Sequence, residues 1–253
     1  MIIALDDESP TAEVQTALGE VENLRVVRTA GATGAGAARN LGARQATQPW
    51  LAFLDADDWW EPDFLATLVA AAERDVVAYD CRIWREQGEQ VVGLGETIFE
   101  RAGWIHPSIG LEESNLLLDG FPIQKLLLKH ETFESIGGFR PLPAVQDFDF
   151  VWRLLAAGQT IQMLRAPLGE YLVRADSITD RVRTDLAAFE TAQRCWLRIW
   201  SDMARDGRLP ATVRRTCARR TVKVAARIPA RRAKNVLGRA RRDPRSIASA
   251  RIG

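Results

Sequence analysis

The chain has 253 residues, 47% hydrophobic and 26% charged, which fits one large globular domain or one domain with an appendage. Its three cysteines are scattered and only His106 and His130 offer imidazole, which argues against a zinc site or a disulfide framework. The net charge of +1 hides an asymmetry: 15 of the 34 Lys and Arg, but one of the 33 acids, lie from Arg208 onward, so the body before them carries −13.

No run of 18 apolar residues occurs, and Met1 to Asp7 lacks the basic and apolar stretches of a signal peptide. A cytoplasmic protein with reduced thiols is expected.

Residues Met1 to Leu5 read as a short buried strand ending in Asp6-Asp7, followed by turn chemistry at Glu8-Ser9-Pro10-Thr11 and a helix through Val14, Ala17 and Leu18. Leu24 to Val27 reads as a second strand. The glycine-rich Gly31 to Gly36 leads into a helix, Ala37 to Ala43, and a strand over 50–58 follows. A helix from Pro62 and a strand at Val76 to Tyr79 continue the alternation. It indicates an α/β domain with a mostly parallel sheet flanked by helices. The region 82–119 mixes Gly, Glu and Trp without clear period and reads as short strands and loops. Leu126 to Leu128 reads as a strand, Glu131 to Ile136 as a helix stopped at Gly137-Gly138, and Phe148 to Ala157 as a helix. A strand at Ile161 to Leu164 and a turn over Tyr171 to Thr179 close the domain. From Asp185 the chain reads as helical. Trp196, Ile199, Trp200 and Met203 share one face, expected to pack back on the domain. A thinner apolar stripe runs through Val213, Cys217, Val224 and Ile228. Pro229 is expected to end that helix, with a poorly ordered tail beyond it.

Three stretches carry chemistry. Trp50-Leu51-Ala52-Phe53-Leu54 runs into Asp55, Asp57 and Asp58, an apolar strand delivering carboxylates into a cleft. Crowded carboxylates repel unless a cation or solvent offsets them. Oxygen clusters suit Mg²⁺ or Mn²⁺, which in turn hold phosphates. A solvated strand-to-helix turn is the plainer alternative. Asp6-Asp7 would share the strand-end edge where open α/β sheets bind ligands. Asp147 stands at a helix start, where the dipole favours an ionised carboxylate; such a group suits a general base, or simply an N-cap. The loop Gly31 to Gly36 runs G-x-x-G-x-G, not the dinucleotide G-x-G-x-x-G, and no Gly-Lys-Ser/Thr phosphate loop occurs.

Taken together, these blocks resemble an inverting, GT-A type family-2 glycosyltransferase over about residues 1–180. Ile2-Ile3-Ala4-Leu5-Asp6-Asp7-Glu8-Ser9 resembles that family's Asp-Asp-Gly-Ser strand, and Ala38-Arg39-Asn40 its Ala-Arg-Asn helix. Asp55-Ala56-Asp57-Asp58 resembles its D-x-D motif. Gly137-Gly138-Phe139, Gln146-Asp147 and Trp152-Arg153 resemble its Gly-Gly-Phe…Glu-Asp…Arg block, and Tyr171 to Ser177 more loosely its closing segment. The resemblance implies a GT-A (Rossmann-like) domain over 1–182 and a helical extension with a basic tail over 183–253. It implies a nucleotide-sugar donor, UDP-linked or similar, held by Asp6, Asp7, Arg39 and Asp55. It further implies Mg²⁺ or Mn²⁺ at Asp57, with Asp58 beside it, and Asp147 as the base for an acceptor hydroxyl on a glycan or lipid-linked molecule. Measured against the family, Met1 falls where the second strand would begin, so the first strand and helix are missing; a fold-retaining scaffold without catalysis is the alternative. Gln146 stands for a usual Glu, Arg174 for a His and Glu8 for a Gly. The basic tail suggests peripheral contact with anionic lipid. No nucleic acid is expected, since no aromatic residue follows Trp200.

Overall fold

The structure, a computed structural model, describes residues 1–5, 16, 23–31, 34–103, 106–110, 125–174 and 177–242. Two compact units divide the chain, Met1–Ala175 and Asp176–Gly253. The helix expected through Val14 to Leu18, and Asp6-Asp7 themselves, lie outside the described residues.

In the first unit, β1 (Ile2–Leu5) pairs in parallel with β2 (Arg25–Arg28) as a two-stranded sheet. The helix α1 (Ala35–Gln45) follows, with Gly36, Ala38 and Ala43 buried; Gly36 and Ala43, seven residues apart, share one face and Ala38 lies on the other side. Next come β3 (Trp50–Ala52), β4 (Trp59–Trp60) and α2 (Phe64–Ala71). A long hairpin, β5 (Val76–Gln87) and β6 (Gln90–Thr97), leads to α3 (Ile98–Ala102), capped by a Thr97–Glu100 capping box. Then β7 (Ser108–Ile109), β8 (Leu126–Lys129), α4 (His130–Ser135), α5 (Gln146–Ala156) and β9 (Ile161–Val173) complete the unit.

The main sheet runs β3-β8-β5-β9-β4, with β6 on the edge of β5 and β7 on that of β9. The α/β class with flanking helices stands, but the sheet is mixed, not mostly parallel. Strand β8 is antiparallel to both β3 and β5, so β3, β5 and β9 share a direction with a reversed strand inserted. Val76–Tyr79 and Leu126–Leu128 are buried along their whole length, as continuous apolar strands in a two-sided core are.

The expected strand over 50–58 stops at Ala52. Its pairing with β8 ends there, and Asp58 N–H closes a turn onto the Asp55 carbonyl at 3.1 Å. Within the region expected as short strands and loops, residues 82–97 instead form the β5–β6 hairpin, while 104–105 and 111–119 lie outside the described residues. The hairpin's two-residue turn, Gly88-Glu89, carries the positive φ of 64° at Gly88 that primed hairpin turns need. Strand β9 reaches Val173, where a turn was expected, because its second half pairs with β5 and β4.

The second unit holds α6 (Ile178–Thr184), α7 (Leu186–Arg205) and α8 (Ala211–Arg242). Ile199, Trp200 and Met203 of α7 and Val213, Cys217 and Val224 of α8 are buried. Arg220 lies over the Trp200 ring, and Arg232 holds Glu190 with two bonds of 2.6 Å. Pro229 does not end α8, which continues to Arg242. Pro229 and Ala225 are both exposed, so water can meet the Ala225 carbonyl that the missing N–H leaves unbonded. Among the described residues no helix is long and apolar enough to cross a membrane.

Candidate functional site

Helix α1 carries Arg39 on its inner face, 12% exposed, with the guanidinium over the Phe139 ring at 5.5 Å. Phe139 belongs to an aromatic cluster with Phe53, Phe133 and Phe150; its ring stacks on Phe150 at 4.6 Å. From this footing Arg39 Nη2 donates to Asp55 Oδ1 at 2.5 Å, and Nη1 lies 3.6 Å from Asp147 Oδ1. One cation thus joins the acid loop after β3 to the start of α5. Asp55 and Asp147 remain 34% and 36% exposed, open to a ligand.

The Gly-Gly-Phe turn that positions Phe139 is locked from both sides. Asn40 Nδ2 donates to the Phe139 carbonyl at 2.9 Å, and Phe139 N–H donates to Asn40 Oδ1 at 2.8 Å. Gly138 has φ 63°, and a Cβ there would lie 2.5 Å from Asn40 Oδ1, so only glycine fits. Arg153 donates to the Ile136 and Gly138 carbonyls at 2.7 Å each and to Asp149 Oδ2 at 2.9 Å. Asp149 is fully buried and also takes Arg140 Nε at 2.8 Å. Burial pulls the Arg153 guanidinium down from its ordinary value, against the Asp149 charge that holds it up. These bonds fix the segment that delivers Asp147 to the first turn of α5. Just before it, Val145 has φ 54°, a strained conformation for a β-branched residue, costing on the order of 1–3 kcal/mol. Gln146 donates from Nε2 to the Leu142 carbonyl at 2.6 Å.

Asp57 is half-buried beside the turn; Asp58 is not open at all. Asp58 Oδ2 accepts from Lys125 Nζ at 2.9 Å, with both side chains 1% exposed, and Oδ1 accepts from Leu172 N–H at 3.0 Å. Both oxygens offered as metal donors therefore serve protein donors. Burial raises the Asp58 carboxyl from its ordinary value, opposed mainly by the Lys125 charge. Sequence reasoning passed over Lys125. Its only signal was a lone Lys before Leu126-Leu127-Leu128, and a Lys in an apolar run is buried only when paired.

Tyr171 links the groups. Lys125 Nζ lies 4.9 Å from its ring centroid. Burial raises the Tyr171 phenol, and Asp58, Asp57, Asp55 and Asp147 push it further in the same direction. Direct contacts bring Asp55 and Asp147 together through Arg39, and Asp58 and Tyr171 together through Lys125. The described thiols are buried, and burial pushes Cys81 up to about 12 and Cys217 up to about 11, so neither is a poised nucleophile. Among the described residues no group of three or more His, Cys, Asp and Glu side chains is placed to hold a metal.

Glycosyl transferase family 2 matches residues 1–142, more than half of the chain. No curated protein matches the chain significantly. Among solved structures, S. aureus TarS in complex with UDP-GlcNAc is similar at TM-score 0.59 and 14% identity, covering 86% of this chain and 60% of its own. A second structure of S. aureus TarS, residues 1–349, gives 0.57 and 14%, covering 88% and 60%. The mannosyltransferase PcManGT from Pyrobaculum calidifontis, in complex with GDP-Man and Mn²⁺, gives 0.48 and 18%, covering 94% and 63%. The chain spans about 60% of the length of the TarS chains. At these identities the likeness is one of fold.

Proposed function

We propose, because the chain belongs to glycosyl transferase family 2, that it moves a sugar from a nucleotide-sugar donor to a hydroxyl of a glycan or lipid-linked acceptor, with inversion. The observation that carries this reading is Arg39 spanning Asp55 and Asp147. In it, Asp147 takes the proton from the acceptor hydroxyl as that oxygen attacks the anomeric carbon in line with the departing diphosphate. Arg39 lies beside Asp147 and stands ready for the diphosphate once Asp55 is engaged by the donor. Asp57, with Asp55, supplies the oxygen donors that Mg²⁺ or Mn²⁺ takes. Two carboxylates suffice, because a nucleotide site completes the shell with phosphates. A bound cation would offset charge on the leaving diphosphate. Asp58 belongs to the Lys125 pair in this scheme, and Asp6 and Asp7, following β1, would meet the nucleotide.

The TarS likeness makes a UDP-sugar the donor class to test first. Saturating UDP with Mn²⁺ should stabilise the protein by about 2.7 kcal/mol at a hundredfold excess over Kd. For a chain of this size that is a rise of roughly 5–10 °C in the unfolding midpoint, and EDTA should abolish it. A scaffold without catalysis is the second reading, favoured by one observation: β1–β2 forms a sheet of its own, apart from the sheet that carries the acid loop. No midpoint shift and no hydrolysis of UDP-sugars would favour the scaffold.

Helix α8 supports a place at the cytoplasmic face of a membrane. Arg215, Arg219, Lys223 and Arg227 recur every four residues, all exposed, while Val213, Cys217 and Val224 are buried. The part from Arg208 to Arg242 contains no acid. Near an anionic surface each base contributes about 1 kcal/mol, so changing those four to Gln should weaken binding to phosphatidylserine vesicles by roughly a thousandfold. Cosedimentation at low and high salt checks this; equal binding to neutral vesicles, or preference for RNA, would defeat it.

A further inference from the structure

Strand β4 is only two residues long, and its side chains point to opposite faces. Trp60 turns inward, stacked on Phe64 at 4.2 Å, with its indole N–H donating to the Tyr79 hydroxyl at 2.9 Å. Trp59 therefore turns outward and is 43% exposed. A single exposed apolar side chain needs no explanation, but this one is braced. Its ring lies against Trp84 of β5, centroids 6.4 Å apart and planes at 39°. Trp84 is itself fixed: its indole N–H donates to Glu170 Oε2, and on β6 it covers Gly93, where a Cβ would lie 3.3 Å from the ring. Glu170, only 5% exposed, also takes Arg82 Nε at 2.8 Å, and Arg82 reaches on to Glu61. The ladders set Trp59 beside Glu170 and Glu170 beside Arg82, with Trp84 two residues along β5, on one face of the sheet.

From this geometry we infer that Trp59, backed by Trp84, is a stacking platform for a pyranose ring of a carbohydrate acceptor. The inference rests on the transferase reading and names the acceptor class for it. The chemistry is complementary. A pyranose offers an apolar C–H face and a rim of hydroxyls; the platform offers a rigid aromatic face beside a linked rim of Glu61, Arg82 and Glu170. Neither indole needs to reorganise, since Trp84 is pinned through its N–H and Trp59 sits between the buried Asp58 and the half-buried Trp60, itself held by Phe64 and Tyr79. Location fits as well. Trp59 is two residues from Asp57, so their Cα atoms lie within about 7 Å, roughly one sugar ring from the acids assigned to the donor.

Calorimetric titration of the full chain with chitotetraose, mannotetraose and maltotetraose, with and without UDP and Mn²⁺, tests the inference. At least one oligosaccharide should bind saturably, with UDP and Mn²⁺ present as well as absent. Trp59→Ala should weaken that binding about tenfold or more, and Trp59→Phe by less than about threefold. Leu65→Ala, removing another exposed apolar residue on α2, should leave it unchanged. No saturable binding by the folded protein, equal affinity of Trp59→Ala, or competition by UDP-GlcNAc would each overturn the acceptor platform. The UDP–Mn²⁺ midpoint shift separates the two claims. Its absence removes the transferase reading, whereas its presence without oligosaccharide binding removes only the platform.

Discussion

Asp147→Asn should lower the turnover of sugar transfer by a factor of about 10²–10⁴, the range a positioned general base supplies. The change keeps the side-chain shape at the start of α5 and removes only the ability to accept the proton. Among the described residues, Asp57 is assigned to the cation and two other acids of the loop are engaged. Asp55 is held by Arg39 at 2.5 Å, and both oxygens of Asp58 are occupied by Lys125 and Leu172 N–H. Nor should donor binding fall, because Arg39 loses one of two carboxylates competing for it and becomes more available to the diphosphate. Initial rates with a UDP-sugar, read beside the UDP midpoint shift, check this. A variant that keeps full turnover would remove Asp147 from the mechanism.

Lys125→Met should be the most destabilising single change in the first unit. Removing one partner of a buried pair costs about 3–5 kcal/mol, because the remaining charge stays desolvated, and this amounts to roughly 6–20 °C in the midpoint. The cause is specific to Asp58, so the double variant Lys125→Met/Asp58→Leu should recover most of the loss. The pH dependence has a defined sign. Burial already raises the Asp58 carboxyl, and without Lys125 the largest opposing influence is gone. The folded state then binds the Asp58 proton more tightly than the unfolded one. Stability therefore falls as pH rises from the ordinary carboxylate value through the raised one. The deficit of Lys125→Met should be largest at neutral pH and shrink on acidification. Denaturant unfolding at several pH values measures it, and a deficit that grows in acid would refute the assignment.

The parts of this architecture that repeat locally could be read in advance. The Ala-rich α1 with Arg39, the apolar run ending at the acids, and Asp147 at a helix start all follow from short-range pattern; α1 and α5 form where that pattern put them, and β3 begins there but ends at Ala52, short of the acids. What escaped notice depends on partners distant in sequence. Lys125 is meaningful only against Asp58, 67 residues away, and the reversed strand β8 is indistinguishable in sequence from a parallel one. The hairpin after Tyr79 had its signal at Gly88, but mixed burial along β5 and β6 hid the alternation around it. Pro229 misled because a rule for helix interiors assumes a carbonyl shut away from water, and here it lies on the wet side.

Asn40 grips the main chain of a residue 99 positions later. During synthesis, then, the ribosome finishes the acid loop long before the other half of this clasp emerges. Until Phe139 leaves the exit tunnel, the Asn40 amide has no backbone to hold, and the ring beneath Arg39 does not yet exist. The Arg39 site is a late product of translation, completed in nearly the same moment as Asp147 emerges.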